Sequence, residues 1–323
     1  MKIELSSKRL GLLGEYDLFV GACGSDERAY ECLRKLRPLV AKSEVIMFDY
    51  KERSSVARKS RKYFSYRDLV PNATRIPCSI HDTTCNMRQF VARVASTPRL
   101  KRVGLDISVF TKPYFLAMMK AMRDFLGIEE LDLFYTVPSS YLALEEHFDR
   151  DERKDFTPIE IPGYSGMRMS RSAKLLILLL GFDGGASNFI WDELQPTATV
   201  PINGFPSYFF HYKDTSLLKN KLLLEKAEVR KAVKFAPADD PFETYKTIEG
   251  IVRDYPRHAV SIVPLGTKAM TLGAGLYALD NPQVRIAYPL PSRAKSRETK
   301  ECGKSWLFRV NLARTRKGNF FSS

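Results

Sequence analysis

The hydrophobic pattern of this chain is a series of short, nearly continuous apolar runs separated by longer stretches of helical spacing. Apolar runs of roughly four to eight residues bounded by turn residues are what a parallel strand covered on both faces requires. In the first half, Tyr16 to Val20, Glu44 to Tyr50, Val103 to Ile107 and Leu131 to Tyr135 read as strands. Helices are predicted between them. One is capped by Ser25 and Asp26 and runs through about Val40. A second spans Cys85 to Ala95 with Pro98 as its stop. A third runs from Pro113 to Leu126, between an N-cap at Thr111 and a terminator at Gly127. In the second half, Lys174 to Leu180, Thr199 to Asn203, Val260 to Val263 and Val284 to Tyr288 read as strands. Asn188 to Leu194, Leu217 to Val233, Pro241 to Tyr255 and Lys268 to Leu279 read as helices. Gly273 and Gly275 sit inside the last of these, where each costs up to ~1 kcal/mol, so that face is expected to pack tightly.

The two halves repeat three motifs in the same order. An apolar run ends in Gly21-Ala22-Cys23-Gly24, and another in Gly181-Phe182-Asp183-Gly184. The third strand of each half leads into Thr111-Lys112 or Thr267-Lys268, at the start of an apolar helix. The fourth strand leads into Tyr-x-x-Pro-Ser, at Tyr135 to Ser139 and at Tyr288 to Ser292. Alternation of strand and helix with internal repetition predicts an α/β protein of two similar Rossmann-like units with mostly parallel sheets. The expected division is a first unit over 1–141, a connector over 142–173, a second unit over 174–292 and a basic segment over 293–323. The two sets of strand-end loops would face one another across a binding crevice.

Charge adds a second theme. Residues 51–75 carry a net charge of +6 and residues 293–323 one of +7, so two segments hold 13 of the 14 net positive charges. Such concentration points to a polyanionic partner or to plain solvated surface. No apolar run approaches the roughly 20 residues of a membrane span, and the N-terminus lacks a signal-peptide pattern, so a cytoplasmic protein without membrane contact is expected. The five scattered cysteines read as reduced thiols.

Candidate chemistry gathers at the strand ends. Gly21, Gly24, Gly181 and Gly184 would let the backbone approach a ligand, and the helix beyond each turn offers amides to an anion. Thr111, Lys112, Thr267 and Lys268 would add hydroxyls and ammonium groups around a phosphate, with Ser108 beside the first pair. Asp106 is the candidate acid, base or metal ligand, or else the cap of the turn before Thr111. Asp49 and Asp183 are further strand-end carboxylates suited to ribose hydroxyls or magnesium. Tyr135, Tyr288, Asn203 and Tyr208 are candidate base or ribose contacts, against a plain structural role at the sheet rim. Cys23, near a helix start, is a nucleophile candidate by position, but reads more readily as a buried small residue in a turn. The four histidines form no catalytic or zinc-binding pattern, and no nucleophile elbow is present. No metal site and no cofactor are predicted; magnesium would enter only with a bound nucleotide.

The runs Leu105 to Lys112, Phe134 to Pro138 and Leu179 to Gly184 resemble a group of bacterial two-lobed Rossmann-like proteins similar to the CARF domains of prokaryotic defence systems. That resemblance implies binding of signalling nucleotides in antiviral defence, and a homo-oligomer or an effector partner. Three functions stand open. The first is binding or sensing of a nucleotide or other phosphorylated ligand, with no reaction required. The second is a nucleotide hydrolase or transferase that uses Asp106. The third is a nucleic-acid-binding accessory subunit that uses residues 51–75 and 293–323, with Trp306, Phe308, Phe320 and Phe321 for stacking, although Trp306 to Val310 reads equally as a final strand.

Overall fold

The computed structural model describes residues 1–11, 13–24, 26–51, 68–97, 100–141, 156–166, 173–292 and 299–313. Most of the basic segment 51–75 and parts of 293–323 lie outside them. The strands among the described residues are, in chain order, β1 (Lys2–Glu4), β2 (Leu18–Ala22), β3 (Glu44–Tyr50), β4 (Thr74–Cys78), β5 (Val103–Asp106), β6 (Glu130–Tyr141) and β7 (Phe156–Glu160). They continue with β8 (Lys174–Leu179), β9 (Ala198–Gly204), β10 (Lys234–Ala236), β11 (Ala259–Pro264), β12 (Arg285–Pro291) and β13 (Thr299–Asn311).

These strands form two sheets, in the orders β1-β13-β6-β5-β2-β3-β4 and β10-β9-β8-β11-β12-β7. Strands β4, β3, β2, β5 and β6 are mutually parallel. So are β10, β9, β8, β11 and β12. Counted along the chain within each unit, both parallel sets lie in the order 3-2-1-4-5. The duplicated Rossmann-like plan is therefore present in full, with one more parallel strand per unit than the apolar runs suggest. Strand order reverses between β2 and β5 in one sheet and between β8 and β11 in the other. In open α/β sheets this is where strand-end loops diverge and ligands bind.

Each fifth parallel strand carries an antiparallel neighbour: β13 lies on β6, and β7 lies on β12. The Tyr-x-x-Pro-Ser segments are part of this arrangement. They do not turn at the strand end. They run on as strand, with Pro138 opposite Cys302 and Pro289 opposite Pro158.

The chain divides into Met1–Ala143 with Ala294–Ser323, and Leu144–Arg293. The boundaries thus differ from those read in the sequence. The segment 293–323 was set apart by charge, yet β13 builds it into the first sheet with Leu307 and Phe308 fully buried. The 142–173 connector supplies β7 to the second sheet. The helix expected over Leu217 to Val233 is three short ones, Tyr212–Lys219, Lys221–Leu224 and Ala227–Lys231. At the first break the buried Asn220 donates through Nδ2 to the carbonyls of Gly181 and Ser216, both at 2.8 Å. The packing expected at Gly273 is present. A Cβ there would stand 2.8 Å from Thr244 Cβ and closer still to the Pro241 carbonyl oxygen.

Candidate functional site

In the first unit, β2 and β5 deliver two loops to the switch point. Gly21 lies within β2, and the Met47 sulfur would stand 3.1 Å from a Cβ placed there. Gly24 is buried, and among the described residues the atom nearest to a Cβ placed there is the Asp26 amide nitrogen, at 3.8 Å. Its N–H donates to the Tyr30 hydroxyl at 3.4 Å, and that hydroxyl donates to the Gly24 carbonyl at 3.2 Å. Beyond this turn the helix Arg28–Val40 begins, and its first amide donates to Asp26 Oδ1 at 3.0 Å. The Asp26 carboxylate also holds the Arg28 guanidinium at 2.6 Å.

Asp106 ends β5, is buried, and accepts the Ser108 amide at 2.8 Å, so it serves the turn-capping role. Ser108 is fully buried, and its Oγ accepts the Thr136 amide at 2.8 Å. Thr136 Oγ1 lies 2.9 Å from Ser305 Oγ, which accepts from Lys35 Nζ at 3.0 Å. This polar chain ties the β5 loop to β6, β13 and the helix Arg28–Val40. A ring cluster packs the same loop: Phe110 stands 5.5 Å from Phe48, and Tyr50 5.1 Å from Tyr114. The Thr111 amide donates to the Tyr50 hydroxyl at 3.3 Å. Thr111 is the N-cap of the helix Lys112–Asp124 but makes no side-chain cap bond. Its hydroxyl is buried with no hydrogen-bond partner among the described residues.

The second unit uses the same residue types differently. A Cβ on Gly181 would press into the Leu265 carbonyl, with the carbon at 2.9 Å, and one on Gly184 into the Lys219 carbonyl, with the carbon at 2.8 Å. Both glycines are demanded by the protein's own backbone. Asp183 caps the helix Gly184–Leu194 by accepting the Ala186 amide at 3.1 Å. Thr267 caps the helix Lys268–Asp280 by accepting the Met270 amide at 3.1 Å, and it donates to the Ala238 carbonyl. The two Thr-Lys pairs therefore stand at equivalent places, with one threonine spent on capping and the other not.

Several other candidates have structural employment. Asp49 is buried and ion-paired with Arg75 of β4. Asn203 is fully buried, donating to the Lys213 carbonyl and accepting the Gly204 amide, each at 3.0 Å. Tyr135 is buried within the sheet, and Tyr288 is half-buried in β12. No group of three or more His, Cys, Asp and Glu side chains gathers among the described residues. Cys23 is buried in the turn, as the plainer of its two readings has it. Burial, and then the Asp49 carboxylate, push its thiol up to about 12 against the opposing pull of Arg75. A thiol protonated at neutral pH is a poor nucleophile. At pH 8 a thiol-alkylating reagent will modify the exposed Cys85 in the native protein and leave Cys23 untouched until denaturant is added. Peptide mass mapping reads this, and equal labelling of the two would refute it.

Sequence reasoning passed over Tyr30 and Tyr50, whose hydroxyls hold the two switch-point loops; isolated tyrosines carry no spacing signal. It also passed over Phe205, Phe210 and Phe235, which are exposed. The signal for the first two was the density of rings between Phe205 and Tyr212.

No protein-family model matches the chain, and no curated protein matches it by sequence. Among solved structures, it is similar in fold to a Type III CRISPR defence DNA nuclease activated by cyclic oligoadenylate, with a TM-score of 0.52 and 10% identity. That match covers 84% of this chain and 65% of the nuclease chain. The cytoplasmic domain of a prokaryotic cation chloride cotransporter matches over 86% of this chain and 96% of its own, with 10% identity and a TM-score of 0.27. No helix among the described residues is long and apolar enough to cross a membrane.

Proposed function

We propose that this protein binds a nucleotide or other phosphorylated ligand at the carboxyl edge of its parallel strands, and that the β2/β5 switch point of the first unit holds the anionic group. The observation that carries this is the contrast among four helix starts. At the two switch points, Asp183 and Thr267 cap two of them through their side chains, and at a third, whose N-cap Glu27 makes no side-chain bond, Asp26 takes the first amide. Thr111 leaves the fourth without a side-chain cap and keeps a buried, unpartnered hydroxyl there. The dipole and amides of a helix N-terminus favour an anion. Lys112 supplies the cation, and Gly21 and Gly24 the close backbone approach across the strand reversal. Ser108 and Asp106 hold the loop in shape from below. The ring cluster beneath the loop fixes its geometry before any ligand arrives, which lowers the ordering cost of binding. Lys268 and Gly184 of the second unit would make the weaker counterpart.

The likeness to a nuclease activated by cyclic oligoadenylate supports a nucleotide as the ligand class and defence signalling as the setting. The test is to identify by mass spectrometry any small molecule that co-purifies, and to titrate cyclic oligoadenylates, mononucleotides and pyrophosphate by calorimetry. Loss of a charge-assisted hydrogen bond is worth about 1.5–3 kcal/mol. Lys112→Ala is therefore expected to weaken binding at least about tenfold, Thr111→Val by less, and Lys268→Ala least. Binding that is indifferent to Lys112 and Thr111, or no binding of any of these anions, would overturn the reading.

A further inference from the structure

We infer a second, separate binding surface on the Leu144–Arg293 unit, a stacking platform for unpaired bases of a single-stranded nucleic acid. Three rings are the anchors. Phe205 follows β9 and is 46% exposed, Phe235 lies on the edge strand β10 at 49%, and Phe210, just before the helix Tyr212–Lys219, is exposed at 89%. Phe205 and Phe235 meet edge to face, with ring centroids 6.2 Å apart. The β9–β10 register, with Phe235 opposite Asn203, and the Phe205 amide donating to the Ala236 carbonyl at 2.7 Å fix the pair rigidly. The chain that links Phe210 to Phe235 is positively charged. Residues 211–236 contain seven Lys and Arg against three acids. Lys213 Nζ stands 5.3 Å from the Phe205 ring centroid, and Arg230, Lys231 and Lys234 are exposed.

A single exposed ring is ordinary on a protein surface, but two exposed rings in contact form an apolar patch of the kind that marks an interaction site. Rings interleaved with cations suit a ligand that presents a flat apolar face and a phosphate at each repeat, as single-stranded nucleic acid does. A base pair in a duplex keeps both its faces stacked, so a duplex has nothing to offer these rings. The surface does not depend on the ligand proposed for the first unit. It also lies outside the basic segments 51–75 and 293–323.

The experiment is fluorescence anisotropy of the full chain with a labelled thymidine oligomer of about 20 nucleotides and with a duplex of equal length, at several salt concentrations. Single strand is expected to bind more tightly than duplex. Phe205→Ala and Phe235→Ala should each weaken single-strand binding about tenfold with the salt slope unchanged. Phe210→Ala, at a site too exposed to disturb folding, should act in the same direction, while Phe125→Ala, an exposed ring of the other unit, should leave affinity as it was. Lys231→Ala with Lys234→Ala should lower the salt slope by about 0.7 per lysine. No binding, equal binding of duplex, or ring variants that bind like the parent would overturn the proposal. In the last case any affinity would belong to charge alone.

Discussion

Removal of residues 294–323 will unfold the first unit and leave the second standing. A tail read only by its charge would be dispensable. In the structure it provides β13, which lies between β1 and β6 and is the sole sheet partner of β1 among the described residues. Its register on β6 runs from Thr299 opposite Tyr141 to Asn311 opposite Glu130. Arg309 grips Asp132 through two bonds of 2.7 and 2.8 Å, and Tyr16 donates to the same carboxylate at 2.7 Å. Loss of the strand would strip the β13 pairings and both Arg309 bonds, leave Tyr16 as the remaining one of these partners of Asp132, expose the long edge of β6 and open the core under Leu307 and Phe308. A truncation of Phe308 to Ala should by itself cost about 3–5 kcal/mol, a large part of the roughly 5–15 kcal/mol that holds a domain folded. The second unit is continuous in sequence and contains its own edge strand β7, so the fragment 144–293 should keep a cooperative urea transition. The chain ending at Arg293 should lose the transition of the first unit, read by the near-ultraviolet signal of its buried tyrosines. A truncated chain that retained both transitions would show that β13 is accessory.

The strands legible in the sequence and those that were not divide along a physical line. Central strands such as β2, β5, β8 and β11 are covered on both faces, so nearly every residue is apolar and the run stands out. The four strands at the ends of the two sheets, β1, β4, β7 and β10, left no such trace. They are short, half-exposed and carry Lys2, Arg75, Pro77, Pro158 and Lys234. Charge and proline on an edge discourage pairing with another chain, and the same residues erase the hydrophobic signal. β13 was half visible, since Trp306 to Val310 read as a final strand, but its basic residues alternate with core residues inside a segment notable for charge, and its start at Thr299 left no trace. At the candidate site, residue types at strand ends were readable, and so was their duplication. Which hydroxyl caps a helix and which does not is set by its side-chain partner, since the backbone is extended alike at Thr111 and Thr267, and two identical dipeptides cannot disclose it.

The same distinction makes the glycines the sharpest test of the duplicated motif. Gly184→Ala would drive a methyl group into the Lys219 carbonyl, and Gly181→Ala into that of Leu265. Both obstacles are backbone, held in place by Asn220 bonding to Gly181 and by the β11 end, so neither can swing aside as a side chain would. Each substitution is expected to destabilise the second unit by about 3 kcal/mol, the upper end of ordinary overpacking. Among the described residues, Gly24→Ala meets nothing closer than the ordinary contact of 3.8 Å with the Asp26 amide nitrogen, and its backbone is outside the left-handed region. Its stability should be unchanged, or raised by up to ~1 kcal/mol through a less flexible unfolded chain. Gly24 would then be a glycine that the fold does not require. If the first switch point takes a phosphate against its backbone, Gly24→Ala should weaken the nucleotide titration while the urea midpoint holds. Gly184→Ala should move the midpoint in step with its loss of structure. Should Gly24→Ala leave both readouts unmoved, the first turn would have no ligand role, and the anion would have to be held by Thr111, Lys112 and the helix start alone.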